Sequence, residues 1–202
     1  MQNLLDYLLL LAALAASWQV HAAFTRSERL SEGTGLEEIG SSGKGEPEKR
    51  QPWPADLEGR FAAVFGPEGP ADFIAGAKRA YELILAAFTA GDLGPVSFLL
   101  GENLNRTFAQ ILAERRAKGE SFTNHFIGFV SAEPVDAGRE RDHVWVEVRF
   151  VTQMVSERRD SAGALVEGDP HRVGETAELW TFSRPIKSRD PNWLLVATGP
   201  DE

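Results

Sequence analysis

The sequence predicts an α+β domain. Helix-like spacing of apolar residues runs from Asp72 to Lys118, and strand-like alternation then continues to Thr198. Ahead of this domain lie one apolar stretch and a long polar segment, which predict a membrane-anchor helix and a disordered linker. The expected partition is 1–30 for the anchor and its flank, 31–70 for a flexible linker, and 71–202 for the domain.

Composition narrows the function classes. The 202 residues carry 30 Asp and Glu against 21 Lys and Arg, a net charge of −9. Binding phosphates needs a basic stripe, so nucleic acid is not an expected partner. The chain has 0 cysteines, which excludes disulfides, thiolate ligands and a cysteine nucleophile.

Leu4 to Val20 is apolar except for Asp6, Ser17 and Gln19, and extending it to Phe24 reaches roughly the 20 residues that cross a hydrocarbon core. Leu4, Leu10 and Leu14 belong to its apolar body, and Tyr7 and Trp18 stand near its ends, where aromatic rings favour the interface. Arg26 and Arg29 follow the segment and no basic residue precedes it, which places the following chain in the cytoplasm. A cleaved signal peptide, cut after Ala22, is the rival reading; the missing basic n-region and Asp6 speak against it.

The segment from Ser31 to Pro70 is rich in Gly, Ser, Pro and Glu and cannot bury enough apolar area to repay its ordering entropy. Two apolar islands interrupt it: Trp53, and Phe61-Ala62-Ala63-Val64-Phe65. The second is read either as a turn docking on the domain or as a short partner-binding motif.

Asp72 is the expected N-cap of a first helix, with Phe73, Ala77, Tyr81, Ile84, Leu85 and Phe88 on one face and Gly91 at its end. Asp92 caps a short second helix carrying Pro95, Val96, Phe98, Leu99 and Leu100. Leu104, Phe108, Ile111 and Leu112 mark a third, whose last turn holds Arg115, Arg116 and Lys118 to complement the helix dipole. The period then drops to two. Phe122–Glu133 reads as a strand with a bulge at Gly128, and Val144, Val146, Val148, Phe150, Thr152 and Met154 alternate inward along the next. Turns at Asp160–Gly163 and Gly168–Pro170 and strands at Arg172–Arg184 and Trp193–Thr198 complete an antiparallel sheet.

Certain words in this order resemble the Tim44-like family, the C-terminal domain of the mitochondrial translocase motor-tethering subunit, whose bacterial members include TimA-type adaptors. They are Phe73–Glu82, Ala87–Asp92, Leu99-Leu100, Val148-Arg149-Phe150, Gly168-Asp169, Leu179-Trp180-Thr181-Phe182-Ser183-Arg184 and Asp190-Pro191-Asn192-Trp193. The resemblance implies the cone of the nuclear transport factor two-like superfamily, three helices on a curved antiparallel sheet around an apolar pocket. It also implies a membrane-associated adaptor rather than an enzyme. The long chaperone-contacting region of the mitochondrial protein has no counterpart here, so chaperone binding does not carry over.

The residues offer little chemistry. His21, His125, His143 and His171 show no metal-ligand spacing, and no G-x-S-x-G elbow is present. Glu178 is the one carboxylate considered as a base in a cavity; an exposed or cross-strand-paired glutamate is the simpler reading. No catalytic residue, metal or cofactor is therefore expected. Tyr81, Phe88, Val146, Phe150 and Trp180 are the expected lining of the apolar core or partner-binding pocket. The resulting expectation is a single-pass protein of the bacterial inner membrane with its domain in the cytoplasm. It would bind protein segments at the membrane, touch lipid through its N-terminal helix, and serve translocation or membrane-protein assembly. The alternative is a hydrophobic-ligand carrier or isomerase-type enzyme using the cavity. Partner identity and oligomeric state stay open at this stage.

Overall fold

The computed structural model describes residues 55–66, 69–190 and 192–201. The anchor positions Leu4, Tyr7, Leu10, Leu14 and Trp18 and the linker up to residue 54 lie outside the described residues. Among the described residues, no helix is long and apolar enough to cross a membrane.

The described chain begins with helix α1, Ala55–Phe65, inside the stretch expected to be a flexible linker. Leu57, Phe61, Val64 and Phe65 recur at helical spacing, and this stripe packs on the core with Phe61 buried. The helix is pinned to the first strand by an Arg60–Asp136 ion pair at 2.7 Å and by Arg139 donating to the Ala63 carbonyl. The apolar island of the sequence is thus a docked helix.

Helix α2, Ala71–Ala90, buries Ala77, Ala80, Tyr81, Ile84, Ala87 and Phe88 along one stripe. Pro70 occupies its N-cap position and Asp72 lies in its first turn, so the expected Asp72 side-chain cap is not formed. Gly91 ends it with φ +75°, a left-handed C-cap whose N–H bonds back to Phe88. The second helix is a 3₁₀ turn, Gly94–Leu99, with the Asp92 carboxylate accepting the Gly94 N–H at 2.9 Å. Helix α3, Glu102–Ala117, buries Leu104, Phe108, Leu112 and also Arg115.

These helices cover one face of a curved antiparallel sheet. The strands are β1 (Ser121–Glu140), β2 (His143–Arg159), β3 (Leu165–Gly168), β4 (Gly174–Pro185) and β5 (Leu194–Pro200), ordered β1-β2-β4-β5 with β3 on β2. Strand β1 runs past the expected end at Glu133, carrying Pro134 in a register shift between Pro134 and Asp136. A further shift between Phe126 and Gly128 agrees with the bulge read at Gly128. On β2 the side chains of Val144, Val146, Val148, Phe150, Thr152 and Met154 are all buried, as the period of two requires.

Strand β3 escapes the sequence reading because it has only four residues between two turns. It is held by backbone rather than by core. Gly168 has φ +82°, and a Cβ placed there would lie 2.1 Å from the Ser156 carbonyl oxygen. Gly168→Ala should therefore cost at least the roughly 1–2 kcal/mol of a left-handed L-residue, plus the clash. Limited trypsin digestion should cut the variant faster at Arg158, Arg159 and Arg172; wild-type cleavage rates would show that the hairpin tolerates the methyl.

Candidate functional site

Glu178 stands on the inner face of β4, opposite Phe150 of β2 in register, and is buried. The Tyr81 hydroxyl, projected from α2, donates to Glu178 Oε2 at 2.6 Å and lies 3.3 Å from Thr152 Oγ1. The exposed or cross-strand-paired reading of Glu178 is overturned: the acid is satisfied by a helix across the core. Burial pushes its carboxyl pKa above the ordinary value, with the Tyr81 bond opposing.

An aromatic cluster packs around Tyr81, the partner of this acid. Tyr81 has ring-centroid distances of 5.9 Å to Phe126, 5.4 Å to Phe129, 4.9 Å to Phe150 and 4.5 Å to Trp180. A base must reach a substrate proton, and Glu178 lines neither of the open hollows described below.

All five expected core or pocket residues are buried: Tyr81, Phe88, Val146, Phe150 and Trp180. The structure brings Tyr81, Phe150 and Trp180 together around Glu178. Phe88 belongs to another part of the core, against Phe108 at 5.2 Å. None of the five lines either of the two hollows described below.

The larger hollow, about 440 Å³, lies where α1 and α2 meet the ends of β4 and β5. Its walls are Val64, Phe65, Phe73, Leu99, Phe182 and Trp193, and Gly69, Gly76, Ala77 and Ala80 keep its helical side free of bulk. Phe73 organises the aromatic wall, 5.2 Å from Phe65, 4.9 Å from Trp193 and 5.7 Å from Phe182. Its polar rim holds Asp72, Asn192 and Arg184, whose guanidinium stacks 5.1 Å over Trp193. Its volume falls within the range of ligand clefts.

In the sequence Trp193 and Arg184 belong to the family words and to strand ends, and neither is assigned to a site. A signal was present: Arg184 follows Phe182 by two residues, so the alternation that buries Phe182 turns a cation toward the same face.

The smaller hollow, about 280 Å³, is lined by Glu140, Arg141, Asp142, His143, Trp145, Thr181, Ser183 and Val196. His143 Nδ1 is 2.8 Å from Asp142, and that bond holds the Asp142 carboxyl below the usual carboxylate range. The Ser183 hydroxyl donates instead to the Val144 carbonyl at 3.1 Å, so no nucleophile–base pair is formed with it. His125 and His171 are exposed, and no group of three or more metal-binding side chains occurs among the described residues.

A profile of the Tim44-like domain matches residues 69–200. No curated protein matches the chain.

Proposed function

The chain belongs to the Tim44-like family, and from that premise we propose that it is a non-catalytic, membrane-anchored adaptor that holds a segment of a partner protein. Such a domain points in general to a membrane-associated or translocation-related role. The finer reading places the domain in the cytoplasm, tied to the bacterial inner membrane by the Leu4–Phe24 segment, and the groove between α1, α2 and the β4–β5 ends as the contact surface.

One observation carries the reading. The acid best suited to catalysis is buried and bonded to Tyr81, away from both hollows, whereas the larger hollow combines an aromatic wall with a polar rim. A long tether would raise the effective concentration of the groove at the membrane surface without adding contacts.

A photoreactive residue at Gly76, in the groove, tests the contact in intact cells, with Ile127 on β1 as an exposed control outside the groove lining. A protein adduct is expected from position 76 and none from 127, and Trp193→Ala should weaken it. Alkaline carbonate should leave the full-length chain in the membrane pellet. Turnover of a small apolar substrate that disappears in Glu178→Gln would overturn the reading in favour of an enzyme, as would release by carbonate for the anchor.

A further inference from the structure

The two sequence words that stood out without a role, Trp180–Arg184 and Asp190–Trp193, meet at one place: the Arg184 guanidinium lies over the Trp193 ring at the rim of the groove. Arg184 differs from the other arginines of the domain that are tied down. Arg60, Arg106, Arg149, Arg158 and Arg159 each pair with a carboxylate, and Arg115 is enclosed between two rings. Arg184 is half-buried and pre-oriented by stacking, no carboxylate among the described residues lies within ion-pair distance, and its Nε is buried without an acceptor. In a chain with 30 acidic and 21 basic residues, such a cation beside an apolar cleft marks a seat for an external anion.

We propose that the groove recognises a protein segment in which a large apolar side chain stands next to an Asp or Glu. The apolar side chain fills the space between Phe65, Phe73, Leu99 and Phe182, and its neighbouring carboxylate pairs with Arg184. This rests on the adaptor reading and adds the chemistry of the partner. The planar guanidinium also carries terminal N–H groups side by side, a fork that fits a carboxylate and leaves the buried Nε out of the contact. Asp72 on the same rim offers an acceptor for a peptide N–H, which a lipid headgroup without such a donor cannot use. Gly69 and Gly76 have no Cβ, and a Cβ added at either would meet nothing within 4 Å, which leaves room for a backbone along the helical wall. The overall net charge of −9 favours basic partners at a distance, whereas the groove itself selects a carboxylate at contact.

Selection of a displayed random peptide library on the full-length protein in detergent micelles tests this. Enriched peptides should carry Asp or Glu adjacent to Leu, Ile, Met, Phe or Trp. Changing that acid to its amide should weaken binding about tenfold, the scale of one charge-assisted hydrogen bond. R184Q should erase the difference between acid and amide, R184K should restore part of it, and D72N should leave it in place. Near-UV circular dichroism of each variant, matched to wild type, confirms an intact fold. Enriched peptides without an acid, or an equal response of acid and amide, overturn the carboxylate seat while the adaptor reading stands. Displacement of the peptides by anionic phosphatidylglycerol vesicles assigns Arg184 to a lipid headgroup and overturns the inference. Absence of any enriched peptide overturns both readings.

Discussion

Tyr81→Ala should be the most damaging truncation on helix α2. The ring is 1% exposed and contacts Phe126, Phe129, Phe150 and Trp180, so its removal should cost about 3–5 kcal/mol in denaturant unfolding. The loss does not stop there, because the hydroxyl donates to buried Glu178 and stranding that carboxyl adds about 1–3 kcal/mol. Tyr81→Phe isolates the second part. Wild-type stability in Tyr81→Phe would show that the 2.6 Å bond contributes nothing.

The same pair sets a pH dependence whose sign follows from burial. Burial raises the Glu178 pKa above its ordinary value of 4.5. Between that value and the raised one, the native state holds a proton that the unfolded chain has lost, so stability falls as pH rises through the window. Below the window both states are protonated, and this contribution is fully present. Glu178→Gln lacks the titration, so the stability difference, wild type minus Glu178→Gln, should decline as pH rises above 4.5 and then level off. Subtracting the variant cancels the opposite slopes of paired surface carboxylates. A difference curve flat across the whole range would mean that Glu178 ionises in the fold as freely as in water.

The order of elements was legible because it rests on periodicity alone. Tyr81, Ile84 and Phe88 share one side of a helix whatever lies beyond them, and Val144 to Met154 alternate whatever strand pairs with them. Helix α1 was harder to see. Its apolar stripe is short, sits among Gly and Pro, and gains its stability from β1, which is distant in sequence. Strand β3 was missed for the same kind of reason, since Gly168 and the Asp160 turn define it more than its own side chains do.

The polar residues were misread where a distant partner reversed the local prior. A lone glutamate on a strand is ordinarily wet, yet Glu178 is dry because a tyrosine 97 positions away reaches it. Arg115 in a last helical turn reads as a surface charge answering the dipole, but it is buried between Phe88 and Phe122, and burial lowers its pKa. The groove was illegible as a site for a related reason. Phe65, Phe73, Phe182 and Trp193 come from four separate stretches, and only the closed fold shows that they leave a space between them.

Arg115 also decides how large the effect of Phe88→Ala should be. Phe88 is 8% exposed and sits edge-on to Phe108, so a cavity alone should cost about 3–5 kcal/mol. Its ring also forms one of the two plates around the Arg115 guanidinium, 4.9 Å away, with Phe122 as the other at 4.7 Å. One terminal nitrogen of Arg115 has no hydrogen-bond partner among the described residues, so the aromatic faces, with the charges of Glu120 and Glu167, stabilise the cation there. Removing one plate leaves a buried charge half covered beside the Glu120–Arg158–Glu167 cluster that joins α3 to the β2–β3 hairpin. Phe88→Ala should thus lower stability and also loosen the hairpin, whereas Phe88→Leu, which keeps most of the volume but not the ring face, should separate the two effects. Urea unfolding measures the first, and amide exchange of residues 157–168 the second. Unchanged exchange in Phe88→Ala would show that the Arg115 plates contribute to packing alone and carry nothing to β3.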